Sequence, residues 1–292
     1  MKKVFGVVCH KVTNPLVYTV NYLSSFDENE VLIHVDANSK IEDFLFLSSK
    51  NVIFVKNRVK IKWGGYSQVA ATIELLKTAS ANCFDYFFLI SGDDLPCKTN
   101  KDINDFLNEI ENKNIVHFDF RKSGMLEGES RVKYKYPKIF LNKNKSIYQK
   151  SLCNIFKIFK GIFLNKQYLL ARRKGIVFYK GSNWISLNFK TVKDIVVFLN
   201  ENKWYQEIYG SSLCCDEVFF HTLIKYLKFE DIYVNGDRSH DLRYIDWSSG
   251  PDFPRTLDAS DVQKIKMRND IFARKFRSDI SYDVFAKLIN ND

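Results

Sequence analysis

The stretch "YFFLISGDD", Tyr86 to Asp94, is apolar through Ile90 and then turns sharply acidic. A run this short, rich in Phe, Leu and Ile and bounded by polar residues, suits a strand covered on both faces. Runs of the same form lie at Lys2–Val8, Glu30–Asp36, Asn51–Val55 and Asn114–Phe120. Helical patterns separate them. In "YSQVAATIELLKTA", residues 66–79, Val69, Ala70, Ile73 and Leu76 share one face, with Ser67 as the expected start signal. Alternating β and α predicts an α/β fold with a mostly parallel sheet flanked by helices.

Ligands of such sheets bind at the carboxyl ends of the strands. Three polar strand ends therefore matter: His34-Val35-Asp36, Ser91-Gly92-Asp93-Asp94 and His117-Phe118-Asp119. One Asp after a strand is most simply a turn or cap. Three together describe a polar-rimmed crevice.

Beyond Arg121 the chain becomes basic and irregular. "SLCNIFKIFKGIFLNKQYLLARRK", residues 151–174, has apolar residues at helical spacing with Lys and Arg around them. Such a helix either lies in a membrane interface or packs its apolar stripe on the protein's own core. "GIVFY" and "NWISL" read as strands and "VKDIVVFLNEN" as a helix. "SLCCDEVFFHTLI", Ser212 to Ile224, reads as an apolar helix opened by Asp216 and Glu217, with Asp216 suited to capping. Asp258 or Ser260 suits the start of a later helix. With no repeat or linker, residues 1–292 read as one domain.

The 292 residues include 25 Phe and 15 Tyr against 12 Gly and 5 Pro, so little of the chain suits flexible linker. A net charge of +10 favours an anionic partner: nucleic acid, a membrane surface or a phosphate-bearing substrate. Scattered basic residues and no recognised motif argue against nucleic acid. None of the six cysteines forms a CxxC or CxxH pair, so no zinc site is expected, and they read as free thiols of a reducing cytoplasm. Lys2 to Cys9 reads as a strand, not a signal peptide. No run reaches the ~18 apolar residues of a membrane span.

Candidate chemistry rests on the strand-end carboxylates, the Asp216-Glu217 pair, and Arg274 and Lys275 between Phe272 and Phe276. Cations neutralise a diphosphate leaving group as a divalent metal would. A carboxylate serves as general base toward a sugar hydroxyl. These parts suffice for metal-independent glycosyl transfer, although paired carboxylates equally suit a metal phosphoesterase or a glycosidase.

The ordered segments "HKVTNPLVYTVNYL", "VLIHVDANS", "VKIKWGGYSQVAATIELL", "GDDLPCKTN", "SRVKYKY", "YKGSNWISLN", "CCDEVFFHTLI", "LRYIDW" and "IFARKF" run through nearly the whole chain. Together they resemble the core-2/I-branching β-1,6-N-acetylglucosaminyltransferase family, which includes the peptide O-xylosyltransferases. The resemblance implies a GT-A type fold with a Rossmann-like, mixed, mostly parallel sheet. It also implies inverting transfer from a UDP-sugar to a glycan or lipid-linked glycan, with no metal or other cofactor. Residues 1–120 would then be the nucleotide-binding half, and 121–292 the acceptor-binding and catalytic half.

By the same resemblance, Glu217 matches the catalytic base and Lys275 the lysine on the donor diphosphate. The partnering arginine is Arg255, or alternatively Arg243. Asp36 matches the nucleoside site, together with His10 or Lys11, and Asp94 matches the acid of the donor site. Glu127 or Glu129, Arg131, Lys133 and Trp247 match the acceptor region. Trp63, His34, His117, Asp119 and Asp216 are expected to be structural.

Cys214-Cys215 stands where the family has Ser-Pro before Asp-Glu, and "SGDD" holds adjacent aspartates instead of a spaced pair. Without the animal enzymes' long N-terminal anchor and disulfide cysteines, the chain resembles a bacterial relative. Its expected place is the cytoplasm or the inner face of the cytoplasmic membrane, on an anionic surface, making polysaccharide or lipooligosaccharide. The rival reading is a non-catalytic module that binds anionic glycans or a membrane surface.

Overall fold

In the computed structural model, which describes residues 1–142, 144–236, 238–249 and 254–290, the apolar runs form the centre of one sheet. Its strands are β1 (Lys3–Cys9), β2 (Asn29–Val35), β3 (Val52–Phe54) and β4 (Tyr86–Ser91), with a short β5 (Leu95–Pro96) after β4. They continue with β6 (Ile115–Phe118), β7 (Gly181–Asn188), β8 (Val234–Asn235), β9 (Arg238–Ser239), β10 (Arg243–Ile245) and β11 (Phe272–Arg274). The helices are α1 (Asn14–Ser24), α2 (Tyr66–Ala79), α3 (Asn100–Glu109), α4 (Lys122–Lys133), α5 (Ile147–Phe159) and α6 (Lys166–Arg173). After them come α7 (Phe189–Glu201), α8 (Lys203–Glu207), α9 (Phe219–Tyr226), α10 (Val262–Lys266) and α11 (Tyr282–Ile289).

The main sheet runs β3-β2-β1-β4-β7-β6. β3, β2, β1 and β4 are parallel, and β7 runs antiparallel to both neighbours. Side-chain alternation explains why the central strands are apolar throughout. Val4, Leu32, Phe87 and Leu89 face one core with α2, α7 and α9. Phe5, Val7, Val31, Ile33, Phe88 and Ile90 face the other with α1 and α3. A mixed, mostly parallel sheet covered on both faces is the arrangement expected of a GT-A type fold.

The chain leaves β1 for β2 and β3, then returns to β4 on the other side of β1. That reversal opens a crevice at the carboxyl ends of β1 and β4. A second sheet, β10-β11-β5, carries the C-terminal segment to the same edge and packs on α10 and α11. β7, from the second half of the sequence, lies between β4 and β6, so both halves build one sheet.

Some local expectations need correction. "GIVFY" forms no strand; it runs irregularly from α6 to β7. α2 starts at Tyr66 with Gly65 as its cap, and Ser67 instead accepts a hydrogen bond from Lys62 N at 2.8 Å. The basic stretch 151–174 is not one helix: α5 gives way to a 3-10 turn at Lys160–Phe163, and α6 follows. Asp258 does cap its turn, in a reciprocal box with Asp261. Among the described residues, no helix is long and apolar enough to cross a membrane.

Candidate active site

A cleft of about 1380 Å³ opens along the carboxyl edge of the main sheet. His10 and Lys11 follow β1, Asp36 follows β2, and Asp93 follows β4, so the turns at the crevice bring them together. Asp36 Oδ1 accepts hydrogen bonds from Asn38 N and Nδ2, both at 2.9 Å, and from Ile61 N at 3.2 Å. Its Oδ2 takes none from a described residue.

The two aspartates of "SGDD" diverge. Asp93 turns to the cleft and pairs with Lys275 Nζ at 3.0 Å. Asp94 turns inward and is fully buried, bonded to Ser91 Oγ at 2.6 Å, Arg243 Nη1 at 2.6 Å and Arg274 Nε at 3.1 Å. Asp94 thus does not line the cleft; it reaches it only through two arginines.

Those arginines differ in what they leave free. Arg243 is engaged through both terminal nitrogens, donating also to Leu89 O at 2.9 Å, with its buried Nε unpartnered among the described residues and its guanidinium over the rings of Trp184 and Phe272. Arg274 stacks 4.1 Å over Trp184 and is anchored through Nε alone. Its two terminal nitrogens bond no described residue. Fixed from behind and open in front, it stands beside Lys275 on the cleft wall. Arg255 is elsewhere: its Nε pairs with Asp246 at 3.0 Å and its Nη2 with Asp261, and it does not border the cleft.

A second group lines the same cleft around Glu217. The chain enters with Cys214 in the left-handed region (φ 47°), its N–H donating to Gly64 O at 2.7 Å. A 3-10 turn, Cys215–Glu217, follows, and α9 begins only at Phe219. Glu217 Oε2 accepts from Arg131 Nη1 at 2.7 Å, with Lys180 Nζ at 3.8 Å. Both cations also hold Glu127, Arg131 Nη2 at 2.6 Å and Lys180 at 2.7 Å, while Arg131 Nη1 donates to Cys214 O at 3.1 Å. Burial alone would lower the Arg131 pKa, but the Glu217 and Glu127 carboxylates raise it further than burial lowers it. Glu217 Oε1 bonds no described residue. The carboxylate is anchored by one oxygen and open at the other.

Asp216 is not the cap expected of it. It lies below the helix start, buried, with Oδ2 accepting from Gln68 Nε2 at 3.2 Å and Oδ1 unpartnered. Burial, and then the adjacent Glu217 charge, push its carboxyl up to about 7. Gln68 Oε1 also accepts from Gly64 N, so one amide ties the Gly-Gly turn to the acidic pair.

Of the acceptor residues, Glu127, Arg131 and Trp247 line the cleft; Glu129 and Lys133 do not. Glu129 accepts from the Tyr168 hydroxyl, and Lys133 lies over the Tyr134 ring at 5.8 Å. Asp119 is gripped by Arg121 at 2.7 and 2.8 Å, which holds its carboxyl down to about 2. His34 Nε2 accepts from Val59 N at 3.0 Å, a structural bond. Lys180 escaped notice in the sequence: its role comes from β7 placing it opposite α4, and no local pattern marks it. Arg274 was visible in its cationic cluster, but its orientation was not.

No curated protein matches the chain. Residues 4–269 match the family described as "Branch: Core-2/I-Branching enzyme", a span that holds Glu217 and ends just before Arg274 and Lys275. The chain belongs to the core-2/I-branching enzyme family of glycosyltransferases.

Proposed function

We propose that the protein is an inverting, metal-independent glycosyltransferase. It moves a sugar, N-acetylglucosamine in first place, from a UDP-sugar to a hydroxyl of a glycan acceptor. UDP-xylose or another UDP-hexose is the alternative donor. The observation that carries this reading is one cleft holding both a carboxylate with an open oxygen, Glu217, and a cationic pair, Arg274 and Lys275.

In the proposed reaction the acceptor oxygen attacks the anomeric carbon from the face opposite UDP. Glu217 Oε1 takes the hydroxyl proton as that bond forms, while Arg131 steadies the carboxylate through Oε2. The bond from the anomeric carbon to the β-phosphate oxygen breaks, and its electron pair leaves on UDP. Lys275 and the free end of Arg274 stabilise that charge, and their fixed positions spare reorganisation at the moment of reaction. Asp36 and His10 or Lys11 would hold the nucleoside, and Trp247 the acceptor. Metal independence is supported by the fate of the SGDD acids, since Asp93 and Asp94 are separately engaged by cations. Among the described residues, no group of three or more His, Cys, Asp or Glu could hold a metal ion.

The acceptor in this reading is a glycan, or a lipid-linked glycan, destined for a bacterial surface polysaccharide or lipooligosaccharide and met at the inner face of the membrane. The test is UDP release across a panel of UDP-sugars, in excess EDTA, by wild type and Glu217→Gln. Wild type should turn over, and the variant should lose about 10²–10⁴-fold in kcat with UDP affinity unchanged. Near-normal turnover by the variant would remove Glu217 as base. No release with any donor would favour a binding module, and activity restored only by Mn²⁺ a metal enzyme.

A further inference from the structure

Residues 130–193 contain sixteen of the chain's 44 Lys and Arg and none of its 34 Asp and Glu. The remainder of the chain is net acidic, so the +10 belongs to this one segment, and the positive charge is concentrated, not scattered as first expected. Its most exposed part is α5 and the 3-10 turn that follows. α5 is held to the body by few apolar contacts: Cys153 and Phe156 pack with Phe140 in a small cluster bordered by Tyr134, Tyr136, Ile139 and Leu213.

The other large apolar side chains of this element face outward. Ile147 is 85% exposed, Ile158 76% and Ile162 79%, and Tyr148, Ile155 and Phe159 are also exposed. Positions 148, 152, 155 and 159 recur at helical spacing along α5, so they form one continuous face and not isolated surface residues, and exposed Ile162 follows in the 3-10 turn. Exposed Ile147 and Ile158 widen that face on one side, Lys150 and Lys157 lie beyond them around α5, and Lys166, Arg172 and Arg173 extend the exposed charge.

We infer that this face docks on an anionic lipid bilayer. The Ile, Tyr and Phe side chains enter the boundary between headgroups and acyl chains, and the Lys and Arg side chains meet lipid phosphates. Charge and apolarity together select this occupant. Nucleic acid would satisfy the cations but has no place for an apolar row. A second copy of the same face would bring two acid-free, cationic surfaces together, and like charges in contact oppose association.

The face is also close to the catalytic carboxylate. Leu213, part of the cluster that seats α5, immediately precedes Cys214, whose carbonyl anchors Arg131 against Glu217. A bilayer held there lies on the acceptor side of the cleft. That last link rests on the proposed transferase reading; bilayer binding does not, so either fails visibly without the other.

The experiment is co-sedimentation of the full chain with vesicles of phosphatidylcholine alone or mixed equally with phosphatidylglycerol. The expected result is binding to the mixed vesicles only, weakened by salt. Ile158→Ser with Ile162→Ser should abolish it while thermal unfolding stays unchanged. Lys150→Glu with Lys157→Glu should weaken it at least about tenfold, given that each basic residue contributes about fivefold near such a surface. No binding, equal binding to both vesicles, or retained binding by both variants would overturn the inference. So would a dimer in size-exclusion chromatography that the isoleucine substitutions dissolve, because the face would then be a protein interface. The UDP-release assay with a soluble acceptor should be unaffected by either pair.

Discussion

Asp216→Asn should make the protein more stable at alkaline pH than at acidic pH, relative to wild type. Asp216 is a buried carboxylate whose Oδ2 accepts from a neutral amide, Gln68, and whose Oδ1 has no side-chain partner among the described residues. Desolvation, then the neighbouring Glu217, raise its pKa to about 7 from 3.8. The folded chain therefore binds this proton more tightly than the unfolded chain. Its contribution to stability is full below the unfolded pKa and is lost as pH rises from about 4 to about 7. Three units at ~1.4 kcal/mol each set a ceiling of about 4 kcal/mol. The surroundings of a buried charge relax around it and reduce that ceiling, so about 2 kcal/mol is the working figure.

Asparagine keeps a carbonyl to accept from Gln68 and removes the titration. Urea unfolding of both proteins should give nearly equal stability at about pH 4 and a gap of about 2 kcal/mol in the variant's favour at about pH 8. His221, buried and held down to about 3 by desolvation, acts in the opposite sense, since its contribution is lost as pH falls. Both chains share His221, so it cancels in the difference. Parallel curves with a constant offset would refute the reasoning, because the carboxyl would then not titrate differently on folding. A stabilising change beside the proposed base would mark a place where stability is given up for the site.

Two further outcomes follow from the cleft. Arg274→Met should cut kcat/KM for the UDP-sugar by about 10–100-fold, the loss of about 1.5–3 kcal/mol from hydrogen bonds to a charged group, whereas Arg255→Met should change it less than about threefold while lowering the unfolding temperature. Equal kinetic effects would show Arg255 reaching the donor. Gly181→Ala should destabilise by about 3 kcal/mol in thermal unfolding, because a Cβ there would collide with the His117 carbonyl and the His221 ring, and a variant of unchanged Tm would contradict that packing.

The central sheet was legible because burial on both faces forces unbroken apolar runs, and β1, β2 and β4 have them. The strand at 181–188 was legible too, but not its place: nothing local in "NWISL" says that it enters antiparallel between β4 and β6. That insertion puts Trp184 under Arg274 and Lys180 beside Glu217. Asp216 was misread for a similar reason. An acid ahead of an apolar run signals a cap only if the helix starts there, and the left-handed Cys214 with its 3-10 turn delays the start to Phe219.

The cations show the same limit from the other side. The family resemblance points to Arg255, or alternatively Arg243, as the partner of Lys275, yet Asp246 and Asp261 already claim the Arg255 guanidinium. Arg274, next to Lys275 in sequence, gains its orientation from residues far away, Asp94 after β4 and Trp184 on β7. A cation presented to a phosphate must be held from behind, and the holding groups come from whichever strands meet there. Residue type and order therefore announce the chemistry, while the partner that immobilises each group decides which of two similar arginines is left open to a ligand.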